Sequence, residues 1–203
     1  MLSFFTFVKD LKTIRKALLL SCLLFAVGAV IGWVATSSLE KLLVQQLEGL
    51  SEISGNLRDS SNPQWSFFVF IFLNNSIKGV LIIFLGALFG ILPAIFLFIN
   101  GAVIGYLIHL SALQGQDLFE LIVKGLLPHG IIEIPAIIIA CAFGLQFGGK
   151  VLSSIFRLFT KKEDRGVDWS SFTRQTLTAS IWTVILLFVA AIIESTITFS
   201  LLS

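Results

Sequence analysis

The chain has 203 residues, of which 56% are hydrophobic and only 13% charged, and its mean hydropathy is +0.97. These values exclude an ordinary soluble globular domain and are typical of an integral membrane protein. The net charge is only +2, and the Lys and Arg residues lie at the ends of apolar stretches without interleaved aromatic residues, so nucleic-acid binding is not expected.

The first apolar stretch covers residues 17 to 36, and basic residues between Lys9 and Lys16 precede it. Twenty residues are about the length needed to cross the hydrocarbon core of a bilayer. A cleaved signal peptide usually has a shorter apolar core, of roughly 7 to 15 residues. The sequence therefore predicts an uncleaved first span, with residues 1–16 as a basic N-terminus in the cytoplasm.

An amphipathic segment follows at residues 37–65. Leucine and isoleucine recur at helical spacing from Leu39 to Ile53, with Leu43 and Leu47 among them. The segment has two basic and four acidic residues, which predicts an extracytoplasmic loop. One interpretation is an amphipathic helix that lies on the protein or on the bilayer surface. The other is a docking face for an extracytoplasmic protein partner.

Three further spans are predicted between this segment and the next basic one. Residues 149–176 have six basic and three acidic residues, which predicts a cytoplasmic loop. An odd number of crossings must therefore lie between the two, and 83 residues allow three at about 20 to 25 residues each. The predicted spans are 66–90, 91–112 and 119–148, with turns at Gly90–Pro93 and 111–117, followed by a last span at 177–200.

The predicted fold class is therefore all-α, a polytopic transmembrane helix bundle of five crossings within one membrane domain, residues 1–203. The predicted location is the cell membrane, with the C-terminus outside. A second interpretation keeps this orientation but divides the middle region into half-helices near residues 74–79 and 128–130. Broken backbone at membrane depth is tolerated only where protein or a cavity shelters it.

Glycine pairs four residues apart recur in four places. The segments are "GAVIG" at 28–32, "GALFG" at 86–90, "GAVIG" again at 101–105 and "GLQFG" at 144–148. Such pairs make a flat helix face that another helix can approach closely, so Gly86, Gly90, Gly101 and Gly105 are predicted packing positions. The repeated pentapeptide is too short to establish a duplicated domain, and a pseudo-symmetric repeat stays open.

Polar residues inside the apolar stretches need an explanation, because an ionisable group within a span costs about 2.5 to 3.5 kcal/mol on insertion scales. The simplest way to shelter such groups is to turn them toward one another. The predicted intramembrane polar core consists of Asn74, Asn75, Lys78, Asn100, His129, Glu133 and Glu194.

The stretch "LLPHGIIEIPA" at 126–136 predicts a helix that begins inside the membrane. His129 and Glu133 are four residues apart and share a helix face. Pro128 suits a first helical turn, Gly130 allows close backbone approach, and Pro135 is expected to kink the helix. The positive end of such a helix favours a nearby carboxylate, and Glu194 is the candidate.

The polar core is compatible with more than one role. Asn74 and Asn75 suit an interrupted helix whose backbone groups they would satisfy, and Lys78 either joins the core or extends to the membrane interface. The His129–Glu133 pair is compatible with a structural network or with an ion or proton pathway. A metallo-enzyme using His109 as well is disfavoured, since zinc usually takes three protein ligands and no HExxH motif is present. No cofactor, metal or enzymatic activity is expected.

Four segments resemble, in order, the stage II sporulation protein M family of integral membrane proteins. They are "FLNNSIKGVLIIFLGALFG", "NGAVIGYLIHL", "LLPHGIIEIPAIIIACAFGLQFG" and "AAIIESTIT", within residues 70–200. The positions that match the family's motifs are Asn74, Asn75, Gly86, Asn100, Gly101, Pro128, His129, Gly130, Glu133, Pro135, Glu194 and Thr198.

The resemblance implies a multi-span membrane protein without established catalytic activity. In spore-forming bacteria the namesake works in engulfment, alongside two extracytoplasmic partners that remodel peptidoglycan. On this basis the sequence favours a membrane scaffold for extracytoplasmic partner proteins, embedded in the lipid bilayer, with a homo-oligomer left open. The alternative is a transporter or channel for an ion or small solute through the polar core.

Overall fold

The computed structural model describes residues 3–34, 38–160 and 167–198, and these residues form helices without any strand. The α-helices are α1 (Phe4–Thr13), α2 (Arg15–Trp33), α3 (Ser38–Arg58), α4 (Pro63–Leu85), α5 (Ile91–Leu113), α6 (Leu118–Glu120), α7 (Leu127–Thr160) and α8 (Trp169–Ile193). Two π-helical segments, π1 (Leu121–Leu126) and π2 (Glu194–Thr198), precede α7 and follow α8. The predicted all-α fold class is confirmed.

Within the described residues, five helices are long and apolar enough to cross a membrane, as predicted. They are α2, α4, α5, the part of α7 from Gly130 to Phe159, and α8 extended to Thr196. The predicted turns are also present: Gly90 and Gly115 take positive φ angles of 75° and 70° at the two ends of α5, a conformation that glycine adopts without steric cost. The chain is a multi-pass membrane protein.

The half-helix interpretation is wrong at residues 74–79, because α4 continues through them without a break. The Asn74 and Asn75 side chains bond to other side chains instead of to freed backbone groups. Near residues 128–130 the helical structure is also uninterrupted, since α7 follows directly on π1. The irregularity at this place is therefore a change of helix type over Leu121–Leu126, and π-helical turns occur frequently at functional sites.

The predicted cytoplasmic loop at 149–176 is mostly helical, which corrects the sequence interpretation. Helix α7 continues to Thr160 and α8 begins at Trp169. The Asp168 carboxylate caps α8 by accepting a hydrogen bond from the Ser171 backbone N–H at 3.0 Å. This bond is the main reason why the pKa of Asp168 lies below its usual value. The helical structure of α7 therefore continues past Lys150 and Arg157.

The two copies of "GAVIG" pack against each other on α2 and α5. A Cβ atom added at Gly28 or Gly32 would overlap the backbone of Phe98 or Ala102, respectively. The glycines of the second copy are covered in the same way by the α2 backbone. Because residue numbers rise together across this contact, the two helices run parallel.

The other two glycine pairs form a second parallel contact, between the end of α4 and α7. Added Cβ atoms at Gly86 and Gly148 would overlap the backbone of Gly144 and Gly90. Helix α5 then packs on α7, and α8 packs on α4. The pseudo-symmetric repeat stays a prediction, because α7 and α8 pack closely on each other whereas α4 and α5 scarcely do.

The N-terminal helix α1 is part of the bundle. Phe7 stacks on Trp182 of α8 with ring centroids 5.7 Å apart. Asp10 is buried in the same contact, and this burial raises the pKa of its carboxyl group above 3.8 despite the nearby Arg174 and a hydrogen bond with Gln175. Residues 4–13 therefore form a docked amphipathic helix.

The amphipathic helix α3 lies on the protein surface, as one of the two sequence interpretations had it. Leu43 is only 2% exposed and packs with Ala102 and Tyr106 of α5. The Tyr106 hydroxyl donates a hydrogen bond of 3.4 Å to the Glu40 carboxylate. Helix α3 thus uses its apolar face against the bundle, although the Leu39 side chain lies outside the described residues.

Candidate functional site

A cavity of about 520 Å³ lies between α4, α5 and α7, within the size range of small-molecule sites. Leu47 of α3 and Leu126 of π1 line its edges, and most of its walls are apolar. The polar residues that line it are Asn74, Asn75, Lys78, Asn100 and Glu133. The structure therefore brings five of the seven predicted core residues to one cavity.

Glu133 is fixed at this cavity by an amide chain from α4. The Asn75 side-chain amide donates a hydrogen bond of 2.8 Å to Glu133 Oε1. The Asn74 amide in turn donates to Asn75 Oδ1 at 3.2 Å. Gly130 is buried one turn before Glu133 and also lines the cavity. The amide chain thus holds one carboxylate oxygen of Glu133 at the cavity.

Lys78 and Asn100 line the cavity in different ways. The Lys78 side chain is exposed, and its ammonium group attracts the Glu133 carboxylate electrostatically. The Asn100 amide nitrogen donates to the Phe96 carbonyl of its own helix at 2.7 Å, while its amide oxygen accepts no hydrogen bond from the described residues. Both residues therefore keep polar atoms that a bound molecule can use.

Glu194 does not line the cavity but lies on a segment that packs against two of the helices around it. It is the first residue of π2, which packs against α4 and α7, and it is half-buried. Its carboxylate lies close enough to Glu133 for the two charges to interact electrostatically. The sequence prediction that Glu194 lies near the start of α7 is consistent with this interaction.

The structure places the two prolines of the "LLPHGIIEIPA" stretch but does not describe the side chain of its histidine. Pro128 lies in the first turn of α7, and Pro135 lies inside the helix on its exposed side. The side chain of His129 lies outside the described residues. The hydrogen bond predicted between His129 and Glu133 therefore stays a prediction.

His109 is not part of the polar core. It is half-buried, and its ring packs edge-on against Trp33 with centroids 5.2 Å apart. Within the described ranges, no three His, Cys, Asp or Glu side chains come together as metal ligands. His109 thus has a structural neighbour that explains its place in the bundle.

Sequence reasoning missed a group of buried hydroxyls near the site. Ser76, Thr176 and Thr183 are buried, and their hydroxyl oxygens have no hydrogen-bond partner among the described residues. The sequence feature that could have predicted them is the spacing of hydroxyl residues on α8, where Thr176, Ser180 and Thr183 lie at i, i+4 and i+7. That spacing places them on one helix face.

The arrangement suits a cation, a proton or a small polar solute. Two carboxylates in a poorly hydrated interior repel each other, so a proton or a bound cation between them lowers the energy. Asn74, Asn75 and Asn100 supply neutral amide groups that can coordinate or hydrogen-bond. A nucleophile with a partnered base, by contrast, does not occur among the residues that line the cavity.

Comparison with known proteins gives a family but no characterised relative. A family model described as "Stage II sporulation protein M" matches residues 21–199. An uncharacterized protein of Methanocaldococcus jannaschii is 30% identical over 184 residues, which cover 89% of this chain and 93% of the relative. A second uncharacterized protein of that organism is 30% identical over 58% of this chain and 50% of its own length. No solved structure matches.

Proposed function

Since the chain belongs to the stage II sporulation protein M family, we propose that it is a non-enzymatic membrane protein that binds and moves an ion or small solute through its intramembrane polar core. The observation that carries this proposal is the Glu133 carboxylate, which lies between helices of the membrane domain at a cavity and is held there by the Asn75 amide. Ionisable groups at such depth are rare and usually mark ion or substrate pathways.

Two features of the surroundings support a pathway over a simple structural clasp. Glu133 lines a cavity of about 520 Å³, so it is accessible to a bound molecule. Both π-helical segments adjoin the site, π1 through Leu126 at the cavity and π2 through Glu194. A clasp would need only satisfied hydrogen bonds, whereas the Asn100 amide oxygen, which lines the open volume, accepts no hydrogen bond from the described residues.

The test is ion flux in liposomes that contain the purified protein. Internal pH and the internal Na⁺ and K⁺ concentrations are followed with dyes after an imposed gradient, at several external pH values. We expect pH-dependent flux that Glu133→Gln reduces at least tenfold. Glu120→Gln is the matched control, because Glu120 is exposed and pairs with Lys124 away from the cavity. Flux no faster than in empty liposomes, for these ions and for a panel of small solutes, would refute the proposal.

A scaffold for extracytoplasmic partner proteins is the second candidate. It is supported by α3, which is fixed to the bundle through Leu43 yet leaves Leu42 60% exposed and Ile53 37% exposed beside acidic residues. The orientation that places α3 outside and the N-terminus in the cytoplasm follows from the charge distribution alone. Partners of the cell envelope would dock on this exposed edge of α3.

Site-specific cross-linking from α3 tests the scaffold candidate. A photoreactive residue at position 53 should cross-link to an extracytoplasmic protein, and Leu42→Glu in the same background should abolish binding of that protein. Glu52→Gln, also on the exposed side of α3, should leave it unchanged. Equal capture by wild type and Leu42→Glu would remove α3 as a docking face.

A further inference from the structure

Three buried hydroxyls lie on α4 and α8, and none has a hydrogen-bond partner among the described residues. Ser76 is 7% exposed, Thr176 2% and Thr183 0%, and no described residue hydrogen-bonds to their hydroxyl oxygens. Buried hydroxyl groups are almost always hydrogen-bonded, and ordered water takes this role where protein groups do not. Each of these residues therefore marks a place where a water molecule would be bound.

Two of the three hydroxyls, those of Thr176 and Thr183, lie along α8, and Thr176 is the nearer of the two to the start of that helix. Thr176 and Thr183 are separated by about 10 Å along the helix at ~1.5 Å per residue. Ser180 lies between them on the same face, and its hydroxyl donates to the Thr176 carbonyl at 2.9 Å. The polar face of α8 is thus continuous from its first turns to the middle of the membrane domain.

At the level of Thr183 the polar face of α8 meets α4. An added Cβ at Gly79 would lie 3.1 Å from Leu187 Cδ1 and 3.3 Å from Thr183 Cγ2, so both α8 side chains pack against the α4 backbone there. Ser76 lies one turn along α4 from Gly79, and its neighbour Asn75 donates to Glu133. Ser76 and Gly79 are about 4.5 Å apart along the axis of α4, at ~1.5 Å per residue.

We propose that Thr176, Thr183 and Ser76 line a hydrated path that conducts protons between Glu133 and the membrane face at which α8 begins. This inference rests on the proposed function, since Glu133 is the site that the path serves. A hydroxyl or a water molecule both accepts and donates a hydrogen bond. Each group on the path therefore accepts one proton as it releases another, and no net chemistry is required.

Reaction with silver ion tests whether the path is hydrated, independently of transport. In a Cys22→Ser, Cys141→Ala background, Thr183→Cys protein in nanodiscs is exposed to Ag⁺, and the unreacted thiol is then quantified by alkylation and mass spectrometry. Thr178→Cys is the matched control, because Thr178 is buried on the same helix but its hydroxyl donates to the Arg174 carbonyl at 3.0 Å.

We expect the thiol at position 183 to react at least tenfold faster than the thiol at 178, and Thr176→Cys to behave like Thr183→Cys. Equal slow reaction at all three positions would overturn the hydrated path. If Glu133→Gln still abolished flux in that case, the carboxylate site would stand and only the path would be wrong.

Proton flux in liposomes tests conduction along the path. We expect Thr183→Val to lower the rate at least tenfold and Thr178→Val to leave it near the wild-type rate. Unchanged flux in Thr183→Val would overturn the path even if Glu133→Gln were inactive. Fast silver reaction together with no proton flux in the wild-type protein would overturn proton conduction.

Discussion

The Asn75 amide donates a 2.8 Å hydrogen bond to the Glu133 carboxylate across 58 positions of the chain. The same separation relates Gly86 to Gly144, where the two helix backbones come into direct contact (144 − 86 = 58). The hydrogen bond and the glycine contact therefore belong to one parallel helix pair. Close packing at the glycines sets the register that presents Glu133 to Asn75.

Removing the Asn75 amide should destabilise the bundle. Asn75→Ala leaves Glu133 without its hydrogen-bond donor, and we expect a loss of about 1 to 3 kcal/mol in the free energy of unfolding. Asn74→Ala should cost less, since Asn74 donates only to Asn75. Glu133→Gln keeps an acceptor oxygen and should stay near wild-type stability. Thermal unfolding in detergent distinguishes these cases. Equal losses of stability in Asn75→Ala and Asn74→Ala would contradict the role of Asn75 as the direct donor to Glu133.

Filling the glycine contact between α2 and α5 should also destabilise the protein. Gly32→Ala places a methyl group against the backbone of Ala102, and overpacking of this kind costs about 1 to 3 kcal/mol. The control is Gly49→Ala on α3, where no atom lies within 4 Å of the added methyl. That variant should be neutral or up to about 1 kcal/mol more stable, because Ala favours helix over Gly. A lower melting temperature for Gly49→Ala than for Gly32→Ala would contradict this packing.

Two adjacent leucines of α3 should respond in opposite ways to a charge. Leu43→Glu buries a carboxylate against Ala102 and Tyr106, so we expect it to release α3 and lower the stability by several kcal/mol. Leu42→Glu changes a side chain that is 60% exposed and should alter stability by less than about 0.5 kcal/mol. Limited proteolysis of α3 and thermal unfolding both report the difference, and similar behaviour of the two variants would show that α3 is docked differently.

The contact between α1 and α8 should be pH-dependent. Burial raises the pKa of Asp10 above 3.8 in the folded protein, so its contribution to stability is present below pH 4 and is lost as the pH rises through the folded-state pKa. Asp10→Asn should therefore match the wild type in acid and be more stable at neutral pH. Melting temperatures of both proteins from pH 3.5 to 8 check this. A variant that is less stable than the wild type at neutral pH would show that the ionised Asp10 carboxylate stabilises the folded protein, contrary to this prediction.

The sequence predicted what depends on composition and short-range pattern. Apolar length and charge placement predicted five spans and both turns of α5, and the cost of ionisable groups predicted a shared polar core. Glycine spacing predicted close packing but not which pairs meet, because that choice depends on contacts far apart in the chain. The interruption predicted at residues 74–79 failed since Asn75 has a better partner, the Glu133 carboxylate on α7.

Two other features could not be predicted from short-range sequence patterns, because they depend on contacts between distant residues. The docking of α1 depends on Trp182, which is distant in sequence from Phe7. Ser and Thr are frequent in this chain, so Thr183 gives no signal until the packing shows that its hydroxyl has no partner. Helix α7 extends past the predicted span to Thr160, because the charged residues Lys150 and Arg157 do not interrupt hydrogen bonding along a helix.

The most direct test of the central claim is an experimental structure in lipid nanodiscs, at a resolution that reveals ordered water and ions around Glu133 and Glu194. The account predicts a hydrated cavity, with an ion or water molecule in contact with the Glu133 carboxylate oxygen that does not bond to Asn75. A dry cavity filled by protein side chains or a lipid chain, with both carboxylates satisfied by protein groups alone, would contradict it and make the polar core a structural clasp.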